Sequence, residues 1–357
     1  MAAPSRATLR DRAAAALQRS WEGHGMLSAA LMPAAAAFAA ISAARRELFA
    51  RGLRESAHLP VPVIVVGNLV VGGAGKTPTT IAVVELLRRR GYTPGIVSRG
   101  YGRRGAGVVI VAPGASAQDV GDEPLLLHRR TSVPVAVGAD RVAAGYALLR
   151  AHPAIDVVVS DDGLQHLALG RDVEILVFDE RGGGNGRLLP AGPLRERIPK
   201  ALGPRRIALY NAAVATTPLP GYVARRSLAG VTRLQAWWEG DAPSRPALES
   251  LRDREVVAVA GLARPQRFFA MLRAAGLRVE ERALGDHADF TTLPWPPAST
   301  DVVLTEKDAV KLPASRRIGT RVWVARLDFV PEPAFDAALL AMLPPPSSID
   351  PNGNTPA

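Results

Sequence analysis

The stretch Val61-Pro62-Val63-Ile64-Val65-Val66-Gly67-Asn68-Leu69-Val70-Val71-Gly72-Gly73-Ala74-Gly75-Lys76-Thr77 decides how this chain is read. Val61–Val66 is a β-branched run, glycines follow it, and Lys76–Arg90 has helical composition. Strand, glycine loop and helix in that order are the setting of a phosphate-binding loop. Glycines let backbone N–H groups wrap phosphate oxygens, a lysine neutralises the β and γ phosphates, and the next hydroxyl is offered to Mg2+. Gly72, Gly73, Ala74, Gly75, Lys76 and Thr77 are therefore the expected nucleotide-binding residues, although the strict pattern asks for glycine at Val70. ATP and Mg2+ are the cofactors implied.

Outward from this stretch, Gly95–Ser98, Val108–Val111, Val133–Val137, Ile155–Ser160 and Val173–Phe178 are further short apolar runs between helical patterns. Continuous apolar strands alternating with helices belong to a parallel sheet covered on both faces. The expected fold is α/β, a P-loop NTPase-like, doubly wound, mostly parallel sheet. Ile155–Asp162 is an apolar strand ending in two carboxylates, which suits a Mg2+ site shared with Thr77. Successive strand residues point in opposite directions, so one of Asp161 and Asp162 can serve the metal while the other orients a neighbour.

A chain of 357 residues exceeds what one core usually organises. Residues 55–215 are expected to form the nucleotide-binding lobe and 216–250 a linker, in which alternation over Tyr222–Trp238 suggests a small antiparallel β ribbon. A second, smaller α/β lobe is expected over 251–343, with strands at Glu255–Ala260, Val302–Thr305 and Arg321–Arg326 and a helix over Pro265–Ala275. The tail 344–357, rich in Pro, Ser, Asn and Gly, is expected to be disordered. Residues 1–54 form an N-terminal membrane-associated segment: Met26–Ala44 is apolar apart from Ser28 and Ser42, and Arg45, Arg46, Arg51 and Arg54 follow it. Its length just suffices to cross a bilayer, and its alanine content equally suits a helix lying in the interface.

The absence of cysteine excludes a disulfide framework, thiolate zinc sites and a cysteine nucleophile. A formal charge of +11 predicts attraction to polyanions, and an arginine-rich composition contributes to it. Aromatic residues are only 5%, too few for the stacking platforms of a single-strand nucleic-acid binder. No nucleic acid and no protein partner are expected.

Further motifs make the reading specific. Gly67-Asn68 leading into the glycine loop, Ser98-Arg99-Gly100-Tyr101-Gly102, Gly121-Asp122-Glu123-Pro124, Ser160-Asp161-Asp162-Gly163-Leu164-Gln165-His166, Leu189-Pro190-Ala191-Gly192-Pro193-Leu194-Arg195-Glu196, Asp286-His287 and Thr305-Glu306-Lys307-Asp308 follow one another from Val61 to Lys311. In this order they resemble the tetraacyldisaccharide 4'-kinase family. The resemblance implies an ATP-dependent kinase for the 4'-hydroxyl of an acylated glucosamine disaccharide 1-phosphate in lipid A biosynthesis. It also implies attachment to the anionic surface of the bacterial inner membrane, on its cytoplasmic face, through the N-terminal helix. Two lobes joined by a β ribbon, with ATP on the first and the active site in the cleft, complete what it implies.

Residue by residue, the resemblance gives Lys76 and Thr77 the phosphate-loop pair, Asp161 and Asp162 the acidic pair, Asp122 the catalytic base and His287 its partner. Gln165, Arg195 and Glu196 fall near the reacting groups. Ala288 after His287 and Gly183 depart from the family pattern. Independently, phosphoryl transfer needs a group to receive the hydroxyl proton, and Asp122, away from the metal pair, can fill that place. The alternative reading is another P-loop ATPase or GTPase that positions partners or delivers metal, since Thr305–Asp308 superficially resembles a guanine-selecting motif.

Overall fold

The computed structural model describes residues 16–285, 288, 290–316 and 318–347. His287 and the tail beyond Ser347 lie outside the described residues. Twelve strands form one sheet in the order β10-β9-β11-β12-β8-β7-β6-β1-β5-β2-β4-β3. They are β1 Val63–Gly67, β2 Pro94–Ser98, β3 Val109–Ile110, β4 Val135–Val137, β5 Val157–Asp161, β6 Val173–Asp179, β7 Arg206–Asn211, β8 Tyr222–Arg233, β9 Glu255–Ala260, β10 Arg278–Ala283, β11 Asp301–Thr305 and β12 Arg321–Pro331. Ladders are parallel except at the β3–β4 edge and between β8 and β12.

Both faces of the sheet are covered, which is why β1, β5 and β6 are buried throughout and read as unbroken apolar runs. On one face the Lys76–Arg89 helix contributes Ile81, Val84 and Leu87, and the Asp122–Thr131 helix contributes Leu125–Leu127. On the other, the Arg141–Ala151 helix contributes Ala144 and Leu148. Acidic residues open the Asp122–Thr131 helix, and His128, Arg129 and Arg130 end it, each end matching the helix dipole. Around β9 and β11 a separate apolar cluster gathers Phe268, Phe269 and Leu272 of the Pro265–Ala274 helix.

The expected ribbon within Tyr222–Trp238 takes a different form. Tyr222–Arg233 is one long strand, and its antiparallel partner is Arg321–Pro331, far along the chain. The start of β8 pairs in parallel with β7 through Leu209–Tyr222 and Tyr210–Val223, so the ribbon joins both ends of a continuous sheet. Leu234–Glu239 is helical, so the alternation does not continue to Trp238. At the expected tail, Pro344 accepts the Tyr92 hydroxyl at 2.5 Å and the Ser347 amide donates to Asp156 at 3.3 Å.

The N-terminal apolar run is broken at Leu31 into helices Met26–Ala30 and Met32–Ala50, with Pro33 in the first turn of the second, where its missing N–H costs nothing. No helix among the described residues is long and apolar enough to cross a membrane.

Phe178 of β6 is fully buried and stacks on Tyr210 of β7 at 5.6 Å. Phe178→Ala should cost about 3–5 kcal/mol of unfolding free energy in a denaturant titration. A loss below about 1 kcal/mol would contradict close packing between these strands.

Candidate active site

β1 and β5 are parallel neighbours in a register that sets Val66 beside Asp161. Both strands end at the same edge, so the glycine loop after β1 and the Asp161-Asp162 pair leave the sheet together. Crevices beyond the carboxyl ends of parallel strands are where open α/β sheets bind ligands. Gly75 has φ +101°, and a Cβ there would stand 2.5 Å from Asn211 Nδ2 and 2.9 Å from Arg226 Nη2. Only glycine fits that approach. Asn211 Nδ2 donates to the Ala74 carbonyl at 3.0 Å, pinning the buried middle of the loop to the end of β7.

Lys76 opens the helix with its ammonium held from two sides. It donates to Asn68 Oδ1 at 3.1 Å and lies 3.6 Å from Asp162 Oδ2. Asn68 is buried and donates to the Gly72 carbonyl at 3.1 Å, so it ties lysine and loop into one unit. Asp162, with left-handed backbone at φ +48°, also faces Arg195 at 3.5 Å. Arg195 donates to Gln165 Oε1 at 3.1 Å, and Gln165 Nε2 donates to the Asn68 carbonyl at 3.3 Å. Lys76, Asp162, Gln165 and Arg195 thus form a single network.

Asp161 turns the other way into the interior. Its oxygens accept from Thr80 Oγ1 at 2.9 Å and Ser98 Oγ at 3.5 Å. Burial, then Glu123 and Asp162, push its carboxyl up to about 7, against the pull of the Thr80 hydrogen bond and Lys76.

The Gly121-Asp122-Glu123-Pro124 turn meets Thr305–Lys311 from beyond the ribbon. Lys311 Nζ lies 3.6 Å from Asp122 Oδ2 and 3.3 Å from Asp308 Oδ1, and Lys307 Nζ donates to Glu123 at 3.0 Å. Gly121 is pressed on the Ser98–Gly102 loop, since a Cβ there would stand 3.1 Å from Gly100 Cα and from the Tyr101 carbonyl. Two of the sequence motifs therefore touch through glycine backbone. Asp308 is fully buried and accepts from Gly261 N at 2.9 Å and Thr305 Oγ1 at 2.6 Å, while Glu306 accepts from Arg130 and from Trp237 Nε1. With both carboxylates so engaged, Thr305–Asp308 is not a guanine-reading loop.

Between these walls is a cleft of about 250 Å³. Gly73, Gly75, Lys76 and Thr77 line one side, Leu262–Arg264 and Arg267 another, and Arg226 with Arg326–Val330 of the ribbon the floor. Arg130, Arg226 and Arg326 also line it, and each has a buried Nε without a hydrogen-bond partner in the protein. Burial, aided by Arg267, lowers the Arg226 guanidinium to about 10, so it remains cationic at neutral pH. Guanidinium groups gathered beside a glycine loop suit an anionic ligand.

Of the residues singled out in the sequence, Gly73, Gly75, Lys76 and Thr77 line the cleft, Ala74 is buried beneath it, and Gly72 packs beside Arg181. Asp122 stands one residue from cleft-lining Glu123. Glu196 pairs with Arg46 of the Met32–Ala50 helix at 3.5 Å rather than joining the Asp162 network. His287 lies outside the described residues, and no cluster of three or more His, Cys, Asp or Glu able to hold a metal occurs among those described. Sequence reasoning missed Asn68, Arg226 and Lys311. Asn68 was visible in the Gly67-Asn68 motif, whereas Arg226 and Lys311 owe their places to tertiary pairing.

Because the folded protein holds a proton on Asp161 up to about 7, against an ordinary value of 3.8, this residue makes stability fall as pH rises through that interval. Asp161→Asn should flatten that slope in thermal unfolding measured without nucleotide or divalent cation. An unchanged slope would contradict the assignment.

The family model described as tetraacyldisaccharide-1-P 4'-kinase matches residues 27–344. A tetraacyldisaccharide 4'-kinase of Methylibium petroleiphilum is 56% identical over 96% of this chain and 97% of its own. One from Leptothrix cholodnii is 54% identical over 94% and 97%. The crystal structure of LpxK from Aquifex aeolicus in complex with ATP superposes with a TM-score of 0.73 at 28% identity, covering 89% of this chain and all of that one. On a match spanning nearly its whole length, the chain belongs to the tetraacyldisaccharide 4'-kinase family.

Proposed function

We propose that this chain transfers the γ-phosphoryl group of ATP to the 4'-hydroxyl of a tetraacylated glucosamine disaccharide 1-phosphate, a step of lipid A biosynthesis. The observation that carries the reading is the cleft itself, in which Gly73, Gly75, Lys76 and Thr77 stand among Arg130, Arg226, Arg264, Arg267 and Arg326. Those arginines and the loop's backbone N–H groups would hold the triphosphate, with Lys76 exchanging Asp162 for the β and γ phosphates.

Thr77, Asp161 and Asp162 offer the hard oxygen donors Mg2+ prefers, and the Glu123 and Asp162 charges that add to burial in raising Asp161 suit a divalent cation. Mg2+ there would neutralise charge on the transferring phosphoryl group. The acceptor oxygen attacks γ-phosphorus as the bond to the bridging oxygen breaks, ADP departs, and the hydroxyl proton passes to Asp122, with His287 as its partner. Lys311 would orient Asp122 from the other side of the cleft. Arg195, displaced from Asp162, is placed to neutralise charge on the phosphoryl group or on the acceptor's 1-phosphate.

The N-terminal helices expose Met26 (91%) and Ile41 (70%), the turn after them exposes Leu53 (70%), and Arg45, Arg46, Arg51 and Arg54 lie in the same stretch of chain. This supports a location on the cytoplasmic face of the inner membrane, lying on anionic lipid rather than crossing it.

Incubation with γ-labelled ATP, Mg2+ and detergent-dispersed acceptor should give a product phosphorylated at the 4' position. No product from folded, ATP-binding protein would overturn the acceptor assignment. Lys76→Ala and Asp122→Ala should each lower turnover by about a hundredfold or more, while only Lys76→Ala greatly weakens ATP binding by calorimetry. Equal loss of ATP affinity in both would contradict Asp122 as the base. Replacing Met26 and Ile41 with Glu should release the protein from anionic vesicles while turnover of dispersed acceptor persists. Continued sedimentation would place the membrane contact elsewhere.

A further inference from the structure

Asn185 lies in Gly182-Gly183-Gly184-Asn185-Gly186, a stretch to which neither the nucleotide nor the base reading assigns a part. Its side chain is buried, and its surroundings come from two distant pieces of chain. From the N-terminal segment, the Gly23 carbonyl and Ser28 Oγ stand 3.0 Å and the Ser20 carbonyl 3.4 Å from Asn185 Nδ2, whose two N–H donors are shared among the surrounding acceptors. From its own loop, the Ala191 carbonyl accepts at 3.0 Å, and Asn185 Oδ1 receives the Arg187 amide at 3.1 Å. The contact is extended by Trp21, whose Nε1 donates to the Pro190 carbonyl at 3.0 Å and whose own carbonyl accepts the Asn185 amide at 2.9 Å. Gly192 leaves room for this arrangement, because a Cβ there would stand 2.2 Å from Asn185 Oδ1.

The far end of the same loop is part of the site. Pro193 O accepts from Val71 N at 2.8 Å, and Arg195 N donates to Leu69 O at 2.7 Å, with Val70 and Leu194 bridged between them. The residues that lead into the glycine loop are therefore braced by Pro193–Arg195, and Pro193–Arg195 by a turn that Asn185 locks to Trp21–Ser28. An amide side chain is what this junction needs, since only Asn or Gln supplies donors to carbonyls on one side and an acceptor for an N–H on the other.

We propose that Asn185 is a positioning residue for phosphoryl transfer, fastening the N-terminal segment to the loop that aligns Arg195 and braces the entry to Gly72–Thr77. On this view, which rests on the proposed kinase activity, Trp21–Ser28 is part of the active-site scaffold as well as the base of a membrane contact. Small displacements at a phosphoryl-transfer site are expensive, with about 1 Å of misplacement costing up to about a hundredfold in rate.

The test is Asn185→Ala in the full-length chain, with three readouts. The value of kcat should fall about tenfold or more, while KM for ATP stays within about threefold and sedimentation with anionic vesicles is unchanged. In hydrogen exchange, the Val71 and Arg195 amides should open at least about tenfold faster, while those of β1 and β5 keep their protection. Unchanged kcat in the folded variant, or a loss that accompanies release from vesicles, would overturn the proposal. Unchanged exchange at Val71 and Arg195 would overturn it whether or not the wild-type chain phosphorylates the expected acceptor. Should Asn185→Ala fail to fold, Trp21→Phe keeps an aromatic ring at this position while removing the hydrogen bond to Pro190. It should give the same pattern at about two- to fivefold, and an inert Trp21→Phe would refute the coupling.

Discussion

The pairing of β1 with β5 is the constraint from which the site follows. In-register parallel strands end at one height, so whatever follows β1 must share space with whatever follows β5. Here that places a glycine-rich loop against two consecutive carboxylates and brings Lys76 within 3.6 Å of Asp162. One carboxylate, Asp161, is drawn into the interior by Thr80 and Ser98, while Asp162 faces two cations at the surface of the crevice. The division of labour between adjacent aspartates comes from strand geometry and a single left-handed residue, not from any difference in their chemistry.

The second wall of the cleft depends on a contact made late in the chain. β12 pairs with β8 over most of its length, and this ribbon carries Arg226 and Arg326 under the glycine loop. It also holds β11 in place, whose following turn supplies Lys307 and Lys311 to the acidic residues at the start of the Asp122–Thr131 helix. Arg129, lodged 4.5 and 4.2 Å over the rings of Trp237 and Trp238 and donating to both their carbonyls, fastens the other end of that helix to the same wall. A helix clasped at both ends sets the position of Asp122 relative to both walls.

The glycine loop, its flanking strand and helix, and the Asp161-Asp162 strand end were legible because local pattern determines them: β-branched runs, glycines and a lysine at fixed spacing. Other parts were not. Arg278–Ala283 is mostly charged, as an exposed edge strand can be, and it carries no apolar run to reveal it. Ile207–Tyr210 in β7 is apolar but brief, and its place beside β6 is decided by tertiary pairing. The ribbon was sought in neighbouring residues, whereas its two legs are distant in sequence. Lys311 and Arg226 lack any motif of their own, and only folding brings them to Asp122 and Gly75.

On the proposed function, the cleft beside Gly72–Thr77 holds the ATP triphosphate. A crystal structure with Mg2+ and a non-hydrolysable ATP analogue would show it. Phosphate oxygens are expected within hydrogen-bond distance of Lys76 Nζ and of the loop's backbone N–H groups, with Lys76 drawn away from Asp162. A triphosphate bound elsewhere, with Lys76 still held by Asn68 and Asp162, would contradict it.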